Sequence, residues 1–141
     1  MISTDNWVLW IHILGVAVWL GGAAVTLFAV LPTDGGFRAA AARRAHFLTS
    51  RAMEVVVLTG LVNVILKGRE TGYALGAGFF AMLSIKMALL VVMAAFQVWM
   101  GLAWKRAQES EPPARTARLG LAAQCLLGAV AVLLGIGLRA V

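Results

Sequence analysis

Charge is scarce in this sequence. Only 13% of its 141 residues are Asp, Glu, Lys or Arg, too few to coat a water-soluble globule. A soluble enzyme, a disordered tail and a disulfide scaffold are excluded. Cysteine occurs once, as Cys125 inside an apolar run, so no intrachain disulfide can form. There is no Gly-rich phosphate loop, no HExxH, no CxxC and no nucleophile elbow, which leaves hydrolytic and nucleotide chemistry without a basis. Acidic residues number six against twelve Lys and Arg, a net charge of +6. In a soluble domain that balance would suggest nucleic acid. In a chain 62% hydrophobic, with a mean hydropathy of +0.91, it reflects basic cytoplasmic loops, and no nucleic-acid partner is expected.

What is abundant is apolar sequence, interrupted three times by charged clusters. The reading is all-α: a single integral membrane domain over residues 1–141, with the lipid bilayer as its first partner. The first run, Trp7 to Leu31, would be about 37 Å long as a helix and is expected to span. Without a basic region before it or a small-residue cleavage site, it does not read as a signal peptide. Pro32 and Thr33-Asp34-Gly35-Gly36 should stop it, and the alanine-rich basic stretch Phe37 to Arg44 should lead into a second span at about 46–66. Arg51 and Glu54, three residues apart, are placed to pair near the membrane edge. After the turn Lys67 to Gly72 and a glycine-rich opening, a third span is expected at about 79–104. Pro112-Pro113 breaks the last loop, and a fourth span follows at about 119–138.

Counting cations by side places Arg38, Arg43, Arg44, Lys105, Arg106, Arg115 and Arg118 on one face and Lys67, Arg69 and Arg139 on the other. Both termini are therefore expected on the outer, periplasmic side. With short connections the architecture is an antiparallel four-transmembrane-helix bundle. Its helices should pack through Gly15, Gly22, Gly60, Gly128 and Gly135.

Polar side chains at membrane depth cost about 2 to 3 kcal/mol or more, so the few present are the natural candidates for chemistry. They are His12, His46, Arg51, Glu54, Asn63, Lys86, Gln97 and Gln124. His12 lies roughly 8 Å below the outer interface, on a face with Val8, Gly15, Val16 and Trp19. That face suits a flat porphyrin or a close-packed helix, with His12 either an iron ligand or bonded to a facing helix. Lys86 falls at an overlapping depth, where its ammonium can neutralise a haem propionate, ligate a metal once deprotonated, or extend to the headgroups. Met82, Lys86, Met93, Gln97, Met100 and Trp104 share one stripe of the third helix, the pattern of core or lipid packing more than of a copper ladder. His46, among Arg43, Arg44 and Arg51, is expected in a solvated basic patch at the opposite end from His12, so the two do not clamp one haem.

The first helix, with His12, Trp19 seven residues on and then Gly21-Gly22, resembles the opening of the superfamily of copper-resistance D (CopD) and HemJ proteins. The resemblance continues through Arg43-Arg44, Leu58-Thr59-Gly60-Leu61 and Leu83-Ser84-Ile85-Lys86-Met87, about three of the four helices. HemJ-type members are protoporphyrinogen oxidases, oxidoreductases that bind haem b through a first-helix histidine and a third-helix lysine; the matching positions are His12 and Lys86. CopD-type members are associated with copper uptake or export. The chain departs from the HemJ pattern at Leu31-Pro32-Thr33-Asp34, around Phe96-Gln97 and near Ala122-Gln124, which weighs against protoporphyrinogen oxidation and leaves a haem pocket at His12 open.

The resemblance thus implies a multi-pass protein of a bacterial inner membrane with a cofactor site at His12, Lys86, Gly15 and Trp19. The leading expectation is a haem b protein with His12 on the iron, serving electron transfer or oxidation linked to the respiratory chain. One alternative is copper handling, with copper on His12 and Met82 and Cys125 as further ligands. The other is a cofactor-free accessory subunit of a larger respiratory complex, and a homo-oligomer is also open.

Overall fold

The structure, a computed structural model, describes residues 4–32, 36–74, 76–106 and 114–140. Among these there are four long helices and no strand. Helix α1 is Thr4–Val25, α2 Gly36–Glu70, α3 Ala77–Arg106 and α4 Ala114–Ala140. All four are long and apolar enough to cross a bilayer, as in a multi-pass membrane protein, over Asn6–Val30, Ala40–Glu70, Ala77–Lys105 and Arg115–Ile136. Much of the outer surface is Leu, Val, Ile, Phe and Trp side chains, as on a body solvated by lipid.

Helix α1 runs without a break into a π-helical turn, Thr26–Val30. The widened turn shows in Leu31, whose N–H donates to the Thr26 carbonyl five residues back at 2.9 Å. The Thr26 hydroxyl donates to the Gly22 carbonyl at 2.7 Å. The basic stretch leads into the second span as expected, and does so as helix: Gly36–Glu70 is one continuous helix of 35 residues, because its alanines propagate helix as well as the apolar run does. At its far end the Tyr73 N–H donates to the Gly68 carbonyl at 2.7 Å, with Gly72 and Tyr73 both left-handed. The turn residues Thr33, Asp34 and Gly35 and the Pro112-Pro113 pair lie outside the described residues.

Neighbouring helices are antiparallel, which the contacting residues show directly. Along α1, His12 meets Gly60 of α2, Gly15 meets Val56 and Gly22 meets Thr49. Along α4, Gly120 meets Met100 of α3 and Gly135 meets Lys86. Leu20 of α1 fills the space over Gly128 of α4, and His46 of α2 that over Gly101 of α3. The helices therefore form a ring in chain order, with α1 packed most extensively on α2, α3 on α4, and α2 on α3 the least. All five glycines expected at helix contacts are there. A Cβ on Gly15 would lie 2.9 Å from Val56 Cγ2, and one on Gly22 would lie 2.6 Å from Thr49 Cγ2.

The interior divides into two apolar clusters. One joins Ala23, Leu31, Ala42, Met100, Trp104, Ala117 and Leu121, with Cys125 packed on it. The other joins Trp19, Ala52, Val56 and Met93. Four members of the third-helix stripe, Met93, Gln97, Met100 and Trp104, are buried in the core, while Met82 and Lys86 are half-buried.

Candidate functional site

His12 projects from α1 onto the small-residue step Thr59-Gly60 of α2. A Cβ on Gly60 would stand 3.3 Å from His12 Cε1, so glycine there lets the ring lie against the helix backbone. Nδ1 of His12 is 2.9 Å from Thr59 Oγ1. The Thr59 hydroxyl has one proton, and it is donated to the Val55 carbonyl at 2.6 Å, with the Val56 carbonyl at 3.3 Å. Thr59 can only accept from the imidazole, so Nδ1 carries the ring proton and Nε2 keeps its lone pair. The ring also has a backbone hydrogen bond with Val56, and Nε2 has no side-chain hydrogen-bond partner among the described residues. A ring fixed through Nδ1 with a bare Nε2 is the form in which histidine binds metals.

Lys86 reaches the same region from α3. It occupies the inward stripe of that helix, seven residues before Met93 and seven after Phe79, both buried. Its Nζ lies 3.1 Å from where a Gly135 Cβ would stand, so the missing side chain on α4 makes room for the ammonium. The ammonium is near enough to His12 for its charge to act on the ring. Among the described residues no carboxylate pairs with it; their ion pair is Arg51 with Glu54. The two residues expected to share one depth are thus brought together, between Gly60 and Gly135.

Gly15 and Trp19 stand deeper. The space over Gly15 is taken by Val56 and the Ala52 carbonyl, so this glycine serves the α1–α2 seam. Trp19 is buried at 3% exposure among Ala52, Val56 and Met93, and its Nε1 is without a partner among the described residues.

The opposite half of the interior carries a second polar group, which the sequence did not bring out as a unit. Gln97 donates to Thr49 Oγ1 at 3.0 Å and to Ser50 Oγ at 2.9 Å, and those two hydroxyls donate to the His46 carbonyl at 3.0 and 2.8 Å. Gln124 donates to Gln97 Oε1 and to the Met93 carbonyl, at 2.6 and 3.3 Å. His46 Nδ1 makes a long contact of 3.4 Å with Gln97, and its Nε2 would be 2.8 Å from a Gly101 Cβ. His46 is therefore not in a solvated basic patch. Helical spacing turns it inward with Thr49 and Ser50, away from the exposed Arg43 and Arg44. The signal was in the sequence: 46, 49 and 50 share one face of α2, opposite the two glutamines that the apolar runs of α3 and α4 contain.

His12 and His46 do not share a site. Thirteen residues of α2 separate Thr59, beside His12, from His46, roughly 20 Å of helix. Nor does Cys125 join His12, since it packs on the far apolar cluster ten residues from Gly135, roughly 15 Å along α4. No group of three His, Cys, Asp or Glu side chains placed to hold a metal occurs among the described residues. No family model, no curated protein and no solved structure matches this chain.

Proposed function

We propose that this chain is a haem b-binding protein of a bacterial inner membrane, both termini outward, acting in electron transfer or oxidation linked to the respiratory chain. One observation carries the reading: His12 is oriented by Thr59 so that Nε2 stays bare, and the unpaired Lys86 ammonium faces the same region. A haem asks the protein for one or two axial ligands and for cations opposite its propionates. His12 would hold the iron through Nε2, with Lys86 the second ligand or the propionate partner. Thr59 fixes the tautomer and raises the basicity of the imidazole by taking its proton in a hydrogen bond. When bound, the haem supplies the one-electron chemistry, with a potential set by axial ligand and burial.

Copper handling has less support in this geometry, because soft Cu(I) asks for sulfur ligands and Cys125 is held at the other cluster. The test is a dithionite-reduced minus oxidised visible spectrum of the purified protein, followed by His12→Ala. A Soret shift with a sharp α band, lost in His12→Ala, is the expected result. A variant that keeps its full haem overturns the assignment of His12. A flat wild-type spectrum overturns the haem reading, in favour of copper if the metal is stoichiometric and of a cofactor-free subunit if it is not.

A further inference from the structure

Arg51 and Glu54 form an ion pair of 2.7 Å on the outer face of α2, their side chains 63% and 53% exposed. The Arg51 guanidinium also lies 5.4 Å from the Phe47 ring centroid. The pair is not near the end of the bundle, where the sequence suggested a membrane-edge contact. Thr49 stands opposite Gly22 and Val56 opposite Gly15, so residues 51–54 lie beside residues 17–20 of α1. That is the middle of the 25-residue stretch Asn6–Val30.

Two charges facing lipid at the centre of a span are costly, and intramembrane charges normally face protein or water. The surrounding face has the pattern of a helix seam. Positions 44, 47, 51, 54, 58, 61 and 65 alternate by three and four, and Phe47, Leu58, Leu61 and Ile65 are 58, 64, 60 and 47% exposed.

We propose that this face of α2 is the interface of a two-fold homodimer, with a second copy of the chain as its occupant. Charge complementarity identifies the occupant. The patch carries one cation and one anion a single turn apart, so a two-fold copy presents the same pair. The Arg51 guanidinium of each copy then meets the Glu54 carboxylate of the other, and four charges close a ring away from lipid. A partner of single charge sign would set like charges against each other at the same depth. The interface does not rest on the haem reading, since the α2 face points away from His12.

The test is subunit counting of the full chain in lipid bilayers, with cross-linking through Leu58→Cys in a Cys125→Ser background. The wild type is expected as a dimer, and Leu58→Cys to cross-link while Val130→Cys on α4 does not. Arg51→Glu is expected to lower the dimer fraction at least tenfold, and Arg51→Glu combined with Glu54→Arg to restore it. A monomeric wild type, a dimer indifferent to Arg51→Glu, or cross-linking at Val130→Cys in place of Leu58→Cys overturns the proposal. The cross-linking variants keep the native charge pair, so they decide the matter even if Arg51→Glu fails to fold.

Discussion

The two histidines of this chain are placed alike and finished differently. Each lies across a glycine of a neighbouring helix, His12 on Gly60 and His46 on Gly101, and each has a threonine hydroxyl of α2 close by. Around His46 the polar groups bind one another across three helices: the amide protons of Gln97 go to Thr49 and Ser50, and its oxygen takes the Gln124 N–H, while Gln124 Oε1 is left without a partner among the described residues. Around His12 the polar contacts are to Thr59 and to the Val56 backbone, both on α2, and the nearby Lys86 ammonium has no carboxylate partner among the described residues. A hydrogen-bonded network that crosses three helices in a low-dielectric interior fixes helix register. A half-buried cation with no counter-charge in the same interior costs stability, a cost that a bound anionic group would offset under the proposed function.

The largest effects should fall on opposite halves with opposite readouts. His12→Ala should remove the haem signal while leaving thermal unfolding in detergent nearly unchanged, because the bond it deletes is to a threonine that keeps its own carbonyl partner. Gln97→Leu should do the reverse. It strands the 2.6 Å donor of fully buried Gln124 and lowers stability by about 2 kcal/mol with the spectrum intact. Loss of haem in Gln97→Leu at a temperature where the protein remains folded would erase the distinction between the halves.

Thr59→Val sharpens the comparison within the His12 half. Valine keeps the shape and removes the side-chain acceptor for Nδ1–H, so the ring is held in the ligating tautomer less firmly, by the Val56 backbone contact. Haem affinity should drop on the order of tenfold, measured by titrating the apoprotein, and Thr59→Ser should restore it. Equal affinity in Thr59→Val would mean that His12 is oriented by something other than this hydroxyl.

The glycines give a smaller, graded effect. A methyl on Gly101 would stand 2.8 Å from His46 Nε2, and one on Gly60 3.3 Å from His12 Cε1. Gly101→Ala should therefore cost about 2 kcal/mol and Gly60→Ala about 1 kcal/mol in unfolding experiments, with only the latter weakening haem binding. A larger cost at Gly60 would show the His12 half to be the more tightly packed of the two.

Much of the fold was legible in the sequence, because span length and helix-contact glycines depend on nearby residues alone. The four helices and the contacts at Gly15, Gly22, Gly60, Gly128 and Gly135 follow from it. The alanine-rich basic stretch 37–44 leads into the second span as the sequence suggests, and it does so within one unbroken helix, Gly36–Glu70, since propensity there does not require an apolar run. What it hid depends on pairing across helices. His46 looked like part of a basic patch because Arg43 and Arg44 adjoin it in sequence, whereas helical spacing turns it inward with Thr49 and Ser50. His12 and Lys86 were matched in depth by counting residues. The role of Thr59 appeared only once its single proton was traced to the Val55 carbonyl.

The smallest expected effect bears on the boundary between the halves. Trp19 Nε1 and Gln124 Oε1 are a buried donor and a buried acceptor with no partner among the described residues, and both side chains pack against Met93. Trp19→Phe deletes the orphan donor, which recovers about 1 to 3 kcal/mol of desolvation cost, and opens a cavity whose cost is of similar size. Thermal unfolding should therefore move by no more than about 1 kcal/mol in either direction. A loss well beyond that would mean that the N–H is bonded after all, with a water shared with Gln124 as the natural partner. Trp19→Phe and Gln124→Leu would then be strongly coupled in a double-mutant cycle, and the network of the His46 half would reach across α1 to within two turns of His12.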